Sequence, residues 1–177
     1  MAIKALVLDR DGVINADSPD YIKSPEEWHP IPGSIEAIAQ AKRAGIPVGI
    51  ITNQSGVGRG YYSLETLADI HDKMYRLLAA HDTSVDCLFF CPHEPGEQCP
   101  CRKPKPSMLQ MCARAFNVDI QDVMYIGDKL SDFQTAQAAG SQFALVTTGY
   151  GQATQKDSEI DLCFPDLSSA INTLLPR

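Results

Sequence analysis

Residues 5–12 are Ala-Leu-Val-Leu-Asp-Arg-Asp-Gly, a short apolar run that stops abruptly at charged residues. Four consecutive apolar residues bounded in this way are typical of a buried β-strand. Four similar runs follow and predict strands over residues 47–51, 87–90, 123–126 and 143–146. Because these runs are continuously apolar, both faces of each strand are expected to be covered.

Longer amphipathic stretches separate the apolar runs and predict helices over residues 34–44, 64–81, 107–116, 130–139 and 168–174. Strands that alternate with helices in this way predict an α/β fold, a single doubly wound (Rossmann-like) parallel sheet covered by helices on both faces. No internal repeat, low-complexity tract or linker divides the sequence. We therefore expect residues 1–177 to form one domain.

The composition limits the classes of partner. The chain has 177 residues, 44% of them hydrophobic, and 15 Lys and Arg against 22 Asp and Glu give a formal net charge of -7. This acidic balance disfavours nucleic acid, because a phosphate backbone is bound through clustered cations. No apolar run reaches the ~18 residues of a membrane span, and the N-terminus lacks the pattern of a secretory signal. We expect a cytoplasmic protein.

Two segments, residues 11–32 and 91–106, are too long for ordinary strand-to-helix connections. Both contain several prolines, and the second is also rich in cysteine and charge. Long loops in a compact domain are usually functional. Ligands of open parallel sheets bind beyond the carboxyl ends of the strands, where both segments begin. The sequence therefore predicts a site formed by these two loops.

The carboxylates of Asp9 and Asp11 are expected to point the same way, since side chains at i and i+2 of an extended segment share a face. Two close anions repel each other unless a cation neutralises them, and a pair of oxygen ligands suits Mg²⁺. One carboxylate can then attack phosphorus while the other transfers a proton. Taken alone, the pair is equally typical of a polar turn at the end of a strand.

Three further polar segments follow later elements. Residues 52–56, Thr-Asn-Gln-Ser-Gly, offer hydroxyls and backbone N–H groups that suit phosphate oxygens. Arg102 and Lys103 offer cations, Asp128 offers a further metal ligand, and Asp132 could cap a helix or support the metal site. Each segment alone could equally be an ordinary turn or a solvated loop. Their order along the chain is what favours a phosphate site.

A second cluster of potential ligands comprises Cys91, His93, Cys99 and Cys101. Three thiolates and one imidazole satisfy tetrahedral Zn²⁺ with no open position, which is typical of a structural site. The alternative is a reduced surface loop with free thiols. We favour zinc, which would hold the loop that leads into the two cations at residues 102–103. The remaining cysteines, Cys87, Cys112 and Cys163, lie in apolar stretches and are expected to act as small hydrophobic residues.

Together these motifs resemble the haloacid dehalogenase superfamily of phosphohydrolases: Asp-x-Asp-Gly, Thr-Asn, Lys-Pro and Gly-Asp-x-x-x-Asp, in this order. The resemblance implies that Asp9 is the nucleophile that forms an aspartyl-phosphate and that Asp11 is first the general acid and then the general base. It also implies that Thr52 bonds the phosphoryl group, that Lys103 offsets charge, and that Asp128 binds Mg²⁺ with the Asp9 carboxylate and the Asp11 backbone carbonyl. Since no large insertion follows the first or third strand, we expect no large cap domain.

The Cys/His loop narrows the resemblance to the phosphatases of heptose 1,7-bisphosphate, with the histidinol-phosphate phosphatases as near relatives. The heptose group implies removal of the 7-phosphate during synthesis of nucleotide-activated heptose for lipopolysaccharide and other surface polysaccharides. By the same resemblance, the substrate contacts a set of polar side chains: Asp17, Asp20, Asn53, Gln54, Ser55, Arg102 and Lys129.

The charges near the site bear on the choice of substrate. A bisphosphate needs further cations, which Arg102, Lys129 and Arg59 offer, whereas histidinol phosphate carries cationic groups that would favour Asp17 or Asp20. The cations favour the heptose bisphosphate, and histidinol phosphate remains the alternative. A third interpretation is a non-catalytic, zinc-stabilised binding module, which would lack some of the catalytic residues. We expect a monomeric enzyme for a small sugar phosphate, with neither nucleic acid nor membrane as partner.

Several aromatic and histidine residues are left with ordinary structural roles. Trp28 and Tyr21 could either line a pocket or anchor the first long loop. His29, His71 and His81 have no partners at metal-ligand spacing, so we expect them on the surface or on helix faces.

Overall fold

One parallel sheet of six strands is the centre of the fold in the computed structural model, which describes residues 3–175. Residues 1, 2, 176 and 177 of the predicted domain lie outside the described residues. The strands are arranged in the order β3-β2-β1-β4-β5-β6. Their bounds are β1 Ala5–Leu8, β2 Val48–Asn53, β3 Cys87–Cys91, β4 Val123–Gly127, β5 Gln142–Val146 and β6 Cys163–Phe164.

The described residues form seven α-helices, six between strands and one after β6: α1 Ser34–Arg43, α2 Ser55–Gly58, α3 Leu64–Ala79, α4 Ser107–Phe116, α5 Leu130–Ala139, α6 Gly151–Lys156 and α7 Leu167–Leu174. Single turns of 3₁₀ helix lie at Pro25–Glu27, Pro95–Glu97 and Ile120–Asp122. Within residues 3–175, no helix combines the length and the apolar character that crossing a membrane requires.

The alternation of side chains along β1 explains why helices cover both faces of the sheet. Leu6 and Leu8 pack with the buried residues of α1, α3 and α7, whereas Ala5 and Val7 pack with those of α4 and α5. Successive side chains of a strand point to opposite faces, so an all-apolar strand needs an apolar layer on each side. The predicted doubly wound α/β fold without a large cap domain is confirmed.

One strand and two α-helices of the described structure were not predicted from the sequence. β6 has two residues, too few to show a pattern, and α2 is a single turn within the polar segment after β2. α6 has the sequence Gly-Gln-Ala-Thr-Gln-Lys, which contains no apolar stripe. These elements depend on their packing at the ends of the sheet rather than on a local pattern.

The first long loop is anchored in the core by Trp28, whose side chain is completely buried. Lys73 on α3 donates hydrogen bonds to the backbone oxygens of Pro25 and Trp28, at 2.6 and 2.7 Å. Trp28 therefore anchors the loop and does not line the site, which resolves the two roles left open by the sequence. The loop is held over the carboxyl end of the sheet.

Candidate active site

The carboxyl ends of three neighbouring strands bring the predicted catalytic residues together. Asp9 follows β1, Thr52 lies near the end of β2, and Asp128 follows β4. A cavity of about 310 Å³ opens above them. It is lined by Asp9, Asp11, Thr52 and Lys103, and by the predicted substrate contacts Asp17, Asn53, Gln54, Ser55, Arg102 and Lys129. The order of the motifs thus corresponds to one site in space.

Lys103 is buried at the centre of this site and uses all three ammonium donors. Its Nζ lies 2.9 Å from Asp9 Oδ1, 2.7 Å from Asp132 Oδ1 and 3.0 Å from the hydroxyl oxygen of Tyr125. Burial alone would lower the pKa of Lys103, but the carboxylates of Asp132 and Asp9 outweigh that effect and raise it. The ammonium is therefore charged and fixed beside Asp9.

The carboxylate of Asp9 has two unlike oxygens. Oδ1 accepts a 2.7 Å hydrogen bond from the backbone N–H of Arg10 and contacts the ammonium of Lys103. Oδ2 has no hydrogen-bond partner within residues 3–175, which leaves it available for attack. Burial raises the pKa of Asp9 to about 6, with the positive charge of Lys103 acting in the opposite direction. A second cation beside Asp9 would favour the ionised form further.

The donor set around Asp128 fits a hard divalent cation. Carboxylate oxygens of Asp9, Asp128 and Asp132 lie within 4.8 Å of one another. Asp128 Oδ1 is buried and has no hydrogen-bond partner among the described residues, and Oδ2 accepts a 2.8 Å hydrogen bond from the backbone N–H of Tyr150. Burial, followed by repulsion from Asp9, raises the pKa of Asp128 to about 8. With all three carboxylates ionised, the one ammonium of Lys103 leaves two negative charges, which one Mg²⁺ would neutralise.

Gly12 and Gly149 allow the backbone to approach Asp128 closely. A Cβ atom at either position would lie 2.2 Å from Asp128 Oδ2, and both glycines have positive φ angles, 88° and 57°. Any other residue would displace this carboxylate. Glycine is therefore required here by contact as well as by backbone conformation.

Asp132 fixes its neighbours in the site. Its Oδ1 accepts from Lys103 and from the hydroxyl of Tyr125, both at 2.7 Å. Its Oδ2 accepts from the backbone N–H groups of Asp128 and Lys129, at 3.2 and 3.0 Å. With both oxygens occupied, Asp132 orients Lys103 and the start of α5 and leaves Asp9 and Asp128 as the carboxylates open to a cation.

Asp11 is held by three side chains. The guanidinium of Arg10 contacts both of its oxygens, with Nη2 at 2.9 and 3.1 Å. Asn15 donates to Oδ1 at 2.9 Å, and Gln54 donates to Oδ2 at 2.8 Å. Burial would raise the pKa of Asp11, but the charge of Arg10 and the hydrogen bonds from Asn15 and Gln54 lower it below its usual value. Asp11 is therefore a carboxylate in this arrangement.

The polar segment after β2 holds the site through its side chains. Gln54 Nε2 donates to Thr52 Oγ1 at 2.9 Å, and Gln54 Oε1 accepts from the hydroxyl of Tyr62 at 2.7 Å. Asn53 accepts from the backbone N–H of Lys103 at 3.1 Å and donates to its carbonyl at 3.2 Å. Asn53, the last residue of β2, thus joins this strand to the loop that carries Lys103.

The Cys/His cluster has the spacing of a tetrahedral metal site. Cys91 Sγ lies 3.5 Å from both His93 Nδ1 and Cys99 Sγ, and Cys101 Sγ lies 3.3 and 3.6 Å from the same two atoms. With Zn–S and Zn–N bonds of about 2.3 and 2.0 Å, the edges of a ligand tetrahedron are about 3.5–3.8 Å. The four side chains fit Zn²⁺, with His93 offering Nδ1.

Two side chains that were expected near the substrate, Asp20 and Arg59, lie outside the lining of the cavity. Asp20 is exposed and lies outside the cavity lining, although its neighbours Pro19 and Tyr21 line the cavity. Arg59 also lies outside it and approaches Glu94 at 3.9 Å. Lys129 lies 2.8 Å from Asp17, and Arg102 donates only to the carbonyl of His93, at 3.4 Å, among the described residues.

Three contributors to the site were missed by the sequence analysis. His71 lies on a helix face, as one of the two expected alternatives, but that face of α3 is buried and its contact with Arg10 was not predicted. Tyr125 on β4 accepts a hydrogen bond from Lys103 through its hydroxyl oxygen. The ring of Tyr150, in the turn before α6, lies 5.0 Å from the ammonium of Lys129. No local pattern identifies these residues, because their contacts with the site depend on how separate segments of the chain pack together.

Comparisons with known proteins agree with this geometry. Residues 3–140 match a hydrolase family model, haloacid dehalogenase-like hydrolase. The D-glycero-beta-D-manno-heptose-1,7-bisphosphate 7-phosphatase of Pseudomonas putida is 46% identical over 175 residues, 98% of this chain and 100% of that protein. Its counterpart in Bordetella bronchiseptica is 48% identical over 152 residues, which are 86% of this chain and 85% of that protein.

A crystal structure of the D,D-heptose 1,7-bisphosphate phosphatase from B. bronchiseptica, complexed with magnesium and phosphate, superimposes with a TM-score of 0.94 at 44% identity, covering 98% of both chains. The corresponding enzyme from Burkholderia thailandensis gives a TM-score of 0.77 at 36% identity, covering 98% of this chain and 99% of that one. The resemblance and the enzyme class expected from the motifs are confirmed. The chain belongs to the haloacid dehalogenase-like hydrolases, in the family of the D-glycero-D-manno-heptose-1,7-bisphosphate 7-phosphatases.

Proposed function

We propose that this chain hydrolyses the 7-phosphate of D-glycero-D-manno-heptose 1,7-bisphosphate through an aspartyl-phosphate on Asp9. The observation that carries the proposal is the pair of unlike oxygens on Asp9: Lys103 holds Oδ1, and Oδ2 has no hydrogen-bond partner in the described part of the chain. A fixed ammonium beside a carboxylate nucleophile is what phosphoryl transfer needs, since that reaction depends mainly on positioning and charge neutralisation.

The reaction takes two steps in which Asp11 moves the proton. First, Asp9 Oδ2 forms a bond to phosphorus, the bond from phosphorus to the sugar oxygen O7 breaks, and Asp11 gives its proton to O7. Next, water attacks phosphorus, Asp11 takes a proton from that water, and the bond between phosphorus and Asp9 breaks. The lowered pKa of Asp11 favours its carboxylate, the form that accepts the proton from water in the second step. The first step requires the protonated form, which the negative charge of an incoming phosphate group favours.

Mg²⁺ would be held by the carboxylates of Asp9 and Asp128 and by the backbone carbonyl of Asp11. When bound, it offsets the negative charges of the site and of the phosphoryl oxygens. The unpartnered Oδ1 of Asp128 and the two excess negative charges support this assignment. The similar B. bronchiseptica enzyme was crystallised with magnesium and phosphate, which supports it further.

Zn²⁺ would have a structural role in the Cys/His loop. Arg102 and Lys103 directly follow the last thiolate, Cys101. A closed tetrahedral site fixes this segment, so that both cations have one position relative to the cavity. The metal would act on catalysis only through the placement of these residues.

The charges on the cavity wall favour a bisphosphate over histidinol phosphate. Asp17 is already paired with Lys129, and Asp20 lies outside the cavity, so neither is an unpaired carboxylate for a cationic substrate. Arg102 has no ion-pair partner among residues 3–175 and lines the cavity, where its guanidinium can form bidentate contacts with a second phosphate.

The test is a comparison of kcat/KM for heptose 1,7-bisphosphate and histidinol phosphate with Mg²⁺ present and Asp9→Asn as the blank. We expect at least a hundredfold preference for the bisphosphate, which Arg102→Ala reduces by about tenfold, on the order of one lost charge-assisted contact. Preference for histidinol phosphate would contradict the proposed substrate and leave the chemistry of Asp9 intact.

A further inference from the structure

A buried arginine connects the carboxylate of Asp11 to a histidine on α3. Arg10 is completely buried, and His71 is 6% exposed. One side of the guanidinium, formed by Nε and Nη2, faces Asp11 at 2.9–3.1 Å. The other nitrogen, Nη1, lies 3.1 Å from His71 Nε2. The guanidinium is therefore held between one acceptor at the active site and one behind it.

The chemistry of the two side chains determines the direction of the second contact. Arginine has only donors, so His71 Nε2 must be the acceptor and the imidazole proton must be on Nδ1. Burial, with a further contribution from Arg10, lowers the pKa of His71 to about 3, so the ring is neutral. Phe90 on β3 packs against the ring with centroids 6.0 Å apart, which limits its rotation.

The opposite side of Asp11 is held in a similar way. Gln54 donates to Asp11 Oδ2, and the hydroxyl of Tyr62 donates to the Gln54 amide oxygen, which sets the orientation of the amide. Asp11 thus sits between two supported donors, and its rotation requires one of them to move. A proton-transfer group gains from such support, because a displacement of about 1 Å can cost a hundredfold in rate.

We propose that His71 is a positioning residue of the phosphatase: it holds Arg10, and Arg10 holds the carboxylate of Asp11 in the orientation used for proton transfer. The inference rests on the proposed function, since it requires Asp11 to transfer protons. Removal of the His71 acceptor leaves Nη1 of Arg10 as a buried donor without a partner. The guanidinium then turns toward another acceptor, and its two-point contact with Asp11 is lost.

A comparison of leaving groups separates this role from a general loss of folding. A sugar alkoxide needs the proton from Asp11 as its bond to phosphorus breaks, whereas p-nitrophenolate leaves as a stable anion without one. kcat/KM includes only the steps up to release of the first product, so it measures this proton transfer and not the later hydrolysis of the aspartyl-phosphate. Misplaced Asp11 should therefore affect the two substrates unequally.

The experiment measures kcat/KM of wild type, His71→Leu and His71→Gln with heptose 1,7-bisphosphate and with p-nitrophenyl phosphate. We expect His71→Leu to lower kcat/KM about 10- to 100-fold for the sugar phosphate and less than about threefold for the aryl phosphate. His71→Gln places an amide oxygen near the position of Nε2, so it should stay within about threefold of wild type on both.

An equal loss on both substrates, or no loss in His71→Leu, would overturn the proposal. If His71→Leu does not fold, His71→Asn takes its place, because its shorter side chain cannot reach Arg10. If wild type hydrolyses other primary alkyl phosphates and not the heptose bisphosphate, the proposed substrate is wrong. The same comparison with the best of those alkyl phosphates then decides the role of His71 independently.

Discussion

Replacement of Asp132 by asparagine tests whether the buried charges of the site are arranged as described. Asp132 accepts four hydrogen bonds, two on each oxygen, from Lys103, Tyr125 and two backbone N–H groups. Asparagine has one acceptor oxygen and one amide group. If its oxygen faces Lys103, its NH₂ faces the backbone N–H groups of Asp128 and Lys129, donor against donor.

The magnitude follows from the burial and the distance. Both side chains of the Lys103–Asp132 pair are almost completely buried, and their charged atoms are 2.7 Å apart. At an effective dielectric constant of about 20, their attraction is about 6 kcal/mol, and loss of one partner of a buried pair costs a net ~3–5 kcal/mol. We expect Asp132→Asn to lower the free energy of unfolding by about 3 kcal/mol, because Lys103 retains its ion pair with Asp9 and repulsion among the carboxylates falls.

The assay is urea unfolding at pH 7 without added Mg²⁺, with Asp72→Asn as the matched control. Asp72 forms an exposed ion pair with Arg76 at 2.7 Å on α3, so its replacement should change the free energy of unfolding by less than about 0.5 kcal/mol. The midpoint should fall in Asp132→Asn without a change in the urea dependence. Equal stability of the two variants would refute the account of this buried network.

The remaining predictions concern the nucleophile, the two metal sites and pH. Asp9→Asn should abolish both turnover and formation of the phosphoenzyme. Asp11→Asn should accumulate a slowly formed phosphoenzyme that mass spectrometry detects after acid quenching. A wild-type turnover rate in either variant would contradict the proposed mechanism. Cys101→Ala should lose bound zinc and lower both the melting temperature and the activity, whereas the control Cys163→Ala should not. An unchanged melting temperature of Cys101→Ala, with one zinc still bound per chain, would contradict a structural role. Because the Asp128 carboxyl keeps its proton up to pH about 8 when folded but only to about 3.8 when unfolded, stability without Mg²⁺ should fall as pH rises between these values. Mg²⁺ binds the ionised form, so it should raise the melting temperature more at pH 8 than at pH 6, and equal shifts would contradict this assignment.

The sequence predicts the central sheet well for a physical reason. Strands buried on both faces must be continuously apolar, and the five predicted runs each correspond to an observed strand, with ends shifted by two residues at most. β6 and α6 could not be predicted, because a strand of two residues and a short helix without an apolar stripe show no periodic pattern. Their positions depend on the elements they pack against.

The same distinction applies to the site. Asp9, Thr52 and Asp128 directly follow or end strands, so the parallel sheet necessarily brings them to one edge. The contact between Arg10 and His71 spans 61 positions and depends on how α3 crosses the sheet. The exclusion of Asp20 depends on the path of an irregular loop, for which the sequence has no periodic pattern. Side chains fixed by strand ends are predictable, and those fixed by loops and helix packing are not.

The most direct test of the central claim is ³¹P NMR of heptose 1,7-bisphosphate during turnover by the wild-type protein with Mg²⁺. We expect the signal of the primary 7-phosphate to disappear, inorganic phosphate to appear in equal amount, and the anomeric 1-phosphate signal to be retained. Asp9→Asn should leave both signals unchanged. Loss of the anomeric phosphate first, or turnover by Asp9→Asn at the wild-type rate, would contradict the account.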